Sequence, residues 1–135
     1  MKISGPILDR IDLHIEVPAL TYQTLKAEDP AESSFSIRER IIACRNRQTE
    51  RFLKHPFRLN ARMGTREIKL FARLSSEGEK LLGSAMKELR LSARAYYKIL
   101  KLARTIADLE GADCLEAGHI AEAIQYRSLD RQWWH

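Results

Sequence analysis

The chain opens with an alternating pattern of apolar and polar residues. Residues 12–17 read Asp-Leu-His-Ile-Glu-Val, which places Leu13, Ile15 and Val17 on one face of a β-strand that Pro18 ends. No second strand pattern follows, and a lone strand is not stable in water. We therefore expect this strand to belong to a sheet outside the chain, and to be disordered here or to pair with the edge of another copy.

After a polar connector at residues 19–34, the pattern becomes helical. Ser36 and Glu39 have the spacing of a capping box, and the first helix is predicted to run to about residue 53, before His55 and Pro56. Its predicted core stripe is Ile37, Ile41, Cys44, Gln48 and Phe52.

Four further helices are predicted. They begin at Thr65, at Ser75 or Ser76, at Ser92 and near Glu116. The helix from Ser92 to Gly111 is apolar on most sides, which predicts a central position. Its apolar positions are Tyr96, Ile99, Leu100, Leu102, Ala103, Ile106, Ala107 and Leu109. The predicted fold is an all-α bundle of about five helices, preceded by the orphan β-strand.

The composition is that of a water-soluble domain. The 135 residues are 44% apolar and 30% charged, which fits one compact domain with a short appendage. No apolar run approaches the roughly 20 residues of a membrane span. Cys44 and Cys114 have no metal-binding or redox spacing, so we predict two buried, reduced thiols, as in a cytoplasmic protein. The histidines show no metal-ligand spacing either.

The positive charge is concentrated in one part of the chain. Residues 36–73 hold eleven Lys or Arg against three acids, a net charge of +8. The rest of the chain carries −3, which gives the total of +5. Such asymmetry indicates an anionic partner for this stretch.

Three segments, in order, resemble one protein family. Residues 4–18 read Ser-Gly-Pro-Ile-Leu-Asp-Arg-Ile-Asp-Leu-His-Ile-Glu-Val-Pro, which resembles the end of the ATPase core in magnesium chelatase-like AAA+ proteins, above all the competence-associated branch that acts on DNA. Residues 91–111 resemble that family's sensor-2 helix, and residues 119–131 its closing helix. The resemblance implies the end of an AAA+ core at 1–18, a hinge at 19–34 and a helical C-terminal lid at 35–135.

The resemblance also implies two contacts to nucleotide. Arg10 would be the arginine finger that reaches the ATP of a neighbouring subunit, and Arg94 the sensor-2 arginine that contacts ATP phosphate, with Arg90 a weaker candidate. Without the resemblance, the sequence favours surface ion pairs of Arg10 with Asp9 or Asp12. For Arg94, the sequence without the resemblance favours a solvated side chain or a pair with Glu88.

The basic stretch supplies candidate DNA contacts, which would be to phosphates and so independent of base sequence. The candidates are Arg38, Arg45, Arg47, Arg51, Lys54, Arg58 and Arg62. A solvated helix face and a subunit interface are the alternatives. Few aromatic residues interleave with these charges, because Phe52, Phe57 and Phe71 have the positions of core residues.

The sequence carries no phosphate-binding loop and no acidic strand end for Mg²⁺, so we expect this chain alone not to hydrolyse ATP. ATP and Mg²⁺ would bind the parent protein, whose partners would be the missing core, neighbouring subunits of a hexamer, and DNA, with no membrane. Two alternatives stay open. One is the lid of a chelatase I subunit that drives Mg²⁺ insertion into a porphyrin, and the other is a free-standing DNA-binding or adaptor module.

Overall fold

A computed structural model describes residues 7, 10–27 and 30–127 of the chain. The described part contains six α-helices and one 3-10 turn, which confirms the all-α fold. The helices are α1 (Tyr22–Lys26), α2 (Ser34–Arg51), α3 (Thr65–Phe71), α4 (Ser76–Glu88), α5 (Ala93–Glu110) and α6 (Ala117–Gln125), and the 3-10 turn is Asn60–Arg62. Residues 128–131 of the closing motif lie outside the described residues.

Helix α5 is central, as predicted. Ser92 caps its start and Gly111, in the left-handed conformation at φ 78°, ends it. The helix packs against α2, α3, α6 and the 3-10 turn, while α4 packs on α6. Ile99, Leu100 and Ala103 are buried on α5, but Leu109 is exposed, so its prediction as part of the apolar stripe was wrong.

Helix α2 reaches beyond the bundle at its N-terminal end. It begins two residues before the predicted capping box, because the Ser33 side chain accepts a hydrogen bond from the Ser36 amide. Cys44, Gln48 and Phe52 are buried, but Ile37 and Ile41 are 39% and 50% exposed, so two of the five predicted core positions were wrong. The reason is length, since the first turns of α2 extend past the other helices. We call its exposed side chains the apolar ridge: Phe35, Ile37, Ile41 and Ile42.

The predicted strand is not formed. Residues 12–17 belong to neither strand nor helix, and the described part of the chain offers no neighbouring strand to pair with them. We expected this segment to be disordered or paired with another copy, whereas residues 11–14 dock on the bundle. The connector contains the short helix α1, which Thr21 caps by accepting from the Thr24 amide.

A backbone contact joins the two loops on either side of the α4–α5 pair. Ser75 N donates to the Leu115 carbonyl at 2.9 Å, and Leu115 N donates to the Arg73 carbonyl at 2.8 Å. The start of α4 therefore lies directly against Leu115. A Cβ added at Gly78 would come within 2.8 Å of the Leu115 carbonyl oxygen, whereas a Cβ at Gly83 on the same helix would meet nothing within 4 Å.

Gly78→Ala should lower the free energy of unfolding by about 1–3 kcal/mol, because the Leu115 carbonyl is backbone and cannot turn aside. Gly83→Ala is the matched control. It should raise the free energy of unfolding by about 0.5–1 kcal/mol, since alanine favours a helix more than glycine does. Urea unfolding followed by circular dichroism measures both. Equal effects at the two positions would contradict the close approach of α4 to Leu115.

The two cysteines have different environments. Cys44 is buried, as predicted, but Cys114 is exposed in the α5–α6 loop, so that half of the prediction was wrong.

None of the helices in the described ranges is long and apolar enough to cross a lipid bilayer.

Candidate nucleotide and DNA contacts

Arg94 lies in the first turn of the central helix. The Ser92 side chain accepts a hydrogen bond of 3.1 Å from the Ala95 amide, which fixes where α5 begins. Arg94 is the second residue of the helix and is exposed. The N-terminal end of a helix attracts anions through its free amide groups and its dipole. An exposed arginine at this position therefore has the placement that a phosphate contact requires.

Arg90 precedes this helix in the turn after α4. Its backbone has φ 48°, in the left-handed region that arginine seldom adopts. The Leu91 amide donates across it to the Met86 carbonyl at 3.2 Å, as in the turn that commonly ends a helix. The backbone of Arg90 thus serves to end α4, while its side chain is exposed beside the start of α5.

Arg10 is exposed, in a segment that docks on α5 and on the end of α6. Arg127, just after α6, donates to the Ile11 carbonyl at 3.0 Å, and the His14 amide donates to the Tyr126 carbonyl at 2.8 Å. The Asp12 carboxylate lies 2.8 Å from Lys98 Nζ. Asp12 therefore forms an ion pair with α5, and this makes its pairing with Arg10 less favourable.

The docked segment is held mainly by these polar contacts. A cavity of about 180 Å³ remains between residues 12–13 and α5, with Lys98 and Lys101 among its walls. Leu13 also lines this cavity and is 44% exposed. Apolar packing therefore contributes little to the docking.

Some of the predicted DNA contacts are only exposed side chains, and others contact other parts of the chain. Arg38, Arg45, Lys54 and Arg62 are exposed. Arg58 donates to the carbonyls of Phe52, His55 and Phe57 at 2.5, 2.5 and 3.0 Å, where it closes the turn after α2. Arg47 lies 4.0 Å from Asp113. Phe52 is fully buried, and Phe57 and Phe71 pack against the same core, as predicted.

Arg51 belongs to a buried polar network that sequence reasoning missed. Its guanidinium donates to both carboxylate oxygens of Asp108, at 2.6 and 2.5 Å, and to Asn60 Oδ1 at 2.9 Å. Asn60 in turn donates to Asp108 Oδ2 at 2.8 Å. This bidentate pair ties α2 to α5, so Arg51 has a structural partner and we leave it out of the proposed DNA surface.

Arg104 is the second cation of this network. It is 1% exposed, lies 3.2 Å from Asp108 Oδ1, and donates to the carbonyls of Asp113 and Ala112 in the loop after its own helix. Burial lowers the pKa of Arg104, and the charge of Asp108 opposes that shift. The detectable signal in the sequence is an Arg-x-x-x-Asp spacing inside an apolar helix, which places a charged pair where charges are expensive.

His119 caps the start of α6. Its Nδ1 accepts from the Glu116 amide at 3.0 Å, and its Nε2 lies 2.7 Å from Glu110 Oε2. Within the ranges that the structure describes, no three His, Cys, Asp or Glu residues come together in a way that could hold a metal ion.

The comparisons with known proteins agree with the fold. The family model described as the C-terminal domain of the magnesium chelatase subunit ChlI matches residues 31–127. The chain therefore belongs to the magnesium chelatase-like family.

Several longer proteins are similar to it. The chain is 41% identical over 135 residues to the protein YifB of Escherichia coli, covering 99% of the chain and 26% of that protein. It is 41% identical over 131 residues to the competence protein ComM of Haemophilus influenzae, covering 96% and 25%. It is also 32% identical over 126 residues to the protein Rv2897c of Mycobacterium tuberculosis, covering 93% and 25%. The chain thus spans about a quarter of the length of these relatives.

Proposed function

We propose that this chain is the helical lid of a ring-shaped AAA+ ATPase that remodels DNA. The observation that carries the proposal is the exposed Arg94 in the first turn of the central helix of a domain that belongs to the magnesium chelatase-like family. In this proposal Arg94 contacts a phosphate of ATP bound between the lid and the core. Movement of the lid relative to the core then follows the state of that phosphate.

The nucleotide would require parts that this chain does not supply. ATP and Mg²⁺ would be held mainly by the core, and the electrophilic phosphorus of ATP supplies the chemistry when bound. From this chain, Arg94 would bind and orient phosphate oxygens in its own subunit, and Arg10 would bring a fixed positive charge to the site of the next subunit.

DNA is the proposed substrate because several basic side chains lie at the surface. Arg38, Arg45, Lys54 and Arg62 are exposed, and Arg66 and Lys69 line an open depression on α3 with Thr65 and Leu70. Arginine and lysine side chains so placed can neutralise phosphates without reading bases. That a relative is named a competence protein favours DNA over a porphyrin as the substrate.

The test is the steady-state ATPase activity of the full-length protein with and without forked DNA. We expect the fork to stimulate turnover. Arg94→Ala should lower turnover about 10- to 100-fold in both conditions, because it removes a charged hydrogen bond to phosphate. Arg38→Glu with Arg45→Glu should remove only the stimulation. Lys80→Ala, an exposed charge on α4, is the control and should behave as the wild type.

Two results would contradict the proposal. If turnover is indifferent to DNA, the DNA-remodelling function is wrong and the chelatase-type lid is favoured instead. If Arg94→Ala leaves turnover at the wild-type rate, the sensor assignment is wrong, whatever the substrate. The cytoplasmic location and the hexameric state stay predictions.

A further inference from the structure

Arg127 is a buried cation that holds a distant part of the chain. It is only 2% exposed, and its Nη1 donates to the carbonyl of Ile11 at 3.0 Å and to that of Asp12 at 3.5 Å. A buried guanidinium needs hydrogen-bond acceptors, and here two main-chain carbonyls more than 100 positions away accept from Nη1. Arg127, just after α6, therefore holds residues 11–12 against the end of the bundle.

Two further contacts hold the same segment from different directions. The His14 amide donates to the Tyr126 carbonyl at 2.8 Å, next to Arg127 in sequence. From α5, Lys98 Nζ lies 2.8 Å from Asp12 Oδ1; the Lys98 side chain is 19% exposed and the Asp12 side chain 73%. We call Lys98, Arg127 and the Tyr126 carbonyl the latch. It fixes three of the four residues that follow Arg10.

One member of the latch, Lys98, lies on the same helix as Arg94. Lys98 is four residues after Arg94, one turn further along α5. A displacement of the start of α5 would therefore act on Asp12 through Lys98, and Arg10 lies two residues before Asp12. The structure thus links the residue proposed to contact a subunit's own ATP to the residue proposed to reach its neighbour's ATP.

We propose that Lys98 and Arg127 are positioning residues for Arg10, so that phosphate contact at Arg94 sets where Arg10 stands in the next subunit's site. This inference rests on the proposed function. It adds a physical connection between two successive sites of the ring, made within one chain by the three latch contacts. Neither Lys98 nor Arg127 needs to touch nucleotide.

The test compares charge variants of the latch in the full-length protein. Asp12→Lys places two ammonium groups together, and Asp12→Lys with Lys98→Asp restores an opposite pair. Glu16→Lys is the matched control, because it makes the same charge change at an exposed position four residues further on. Hydrogen exchange of the His14 amide reports docking, and turnover at saturating ATP and the KM for ATP report the site.

We expect Asp12→Lys to accelerate exchange at His14 and to lower turnover about 10- to 100-fold with little change in KM, because a small misplacement of a charged group is costly. The double swap should restore both readings, and Glu16→Lys should change neither. A variant that merely misfolds would not be rescued by the swap. Rescue therefore separates positioning from a general loss of structure.

Three results would overturn the inference, and they differ in what else they affect. If His14 exchange is unchanged in Asp12→Lys, the latch does not hold the segment. If exchange rises while turnover stays at the wild-type level, the latch holds the segment but does not position Arg10. In both cases an inactive Arg10→Ala protein leaves the proposed function intact. If Arg10→Ala is itself fully active, the finger assignment fails, and the positioning role fails with it.

Discussion

Replacing Asp108 with alanine is expected to lower the free energy of unfolding of the chain by about 3–5 kcal/mol, because two cations lose their shared anion. The Asp108 side chain is fully buried, that of Arg51 is 14% exposed and that of Arg104 is 2% exposed. Removing the carboxylate leaves both guanidinium groups with unmatched charge in a medium that solvates them poorly. A domain of this size has about 5–15 kcal/mol of stability in total, so much of it would be lost.

Urea unfolding followed by circular dichroism measures the effect. If Asp108→Ala does not fold, Asp108→Asn keeps the size and one acceptor oxygen, removes the charge, and gives a measurable smaller loss. Asp113→Ala is the matched control, because the Asp113 side chain is fully exposed and lies 4.0 Å from Arg47. Its effect should stay within about 0.5 kcal/mol. A loss at Asp108 no larger than at Asp113 would show that the network does not hold α2 to α5.

Arg10→Ala is expected to lower ATP turnover of the full-length protein about a thousandfold, since an arginine finger supplies much of the stabilisation of a transferring phosphoryl group. The substitution lies in an exposed position and should leave the unfolding transition of the bundle unchanged. ATP binding should also be retained, because Arg10 serves the neighbouring site in this proposal.

The decisive form of this experiment mixes two inactive proteins. One carries Arg10→Ala, and the other carries an inactivated phosphate-binding loop in the core. In a mixed ring, an intact core site can face an intact Arg10 from its neighbour, so activity should return in proportion to such pairs. Arg94→Ala subunits should behave differently, because their defect stays in their own site. No recovery on mixing would rule out a finger that acts between subunits.

Much of the bundle could be predicted because its signals are local. Ser75, Ser92 and Gly111 punctuate the helices where the structure has them, and the apolar positions of the residue 93–110 helix identify it as central. The errors came from tertiary context. Periodicity marks Ile41 as a core position, but only the extent of the neighbouring helices determines whether such a position is covered.

The candidate site could be predicted in part for the same reason. The position of Arg94 follows from its distance to the Ser92 cap, and the structure agrees with it. Arg51 and Arg58 were grouped with the surface charges because sequence shows charge but not burial or partners. Arg51 meets Asp108 from 57 positions away, and Arg127 meets Ile11 from 116 positions away. Pairings across such separations leave no periodic trace in one sequence.

The apolar ridge gives the folded bundle a surface that its own folding does not require. Phe35, Ile41 and Ile42 keep half or more of their area in water after folding, so their hydrophobicity adds little to the stability of the chain. Polar residues at Ile41 and Ile42 would therefore be tolerated by the fold, while the colloidal behaviour of the isolated domain would change. In the isolated domain these apolar side chains are exposed to solvent, so its solubility at high concentration depends on those few side chains more than on its core.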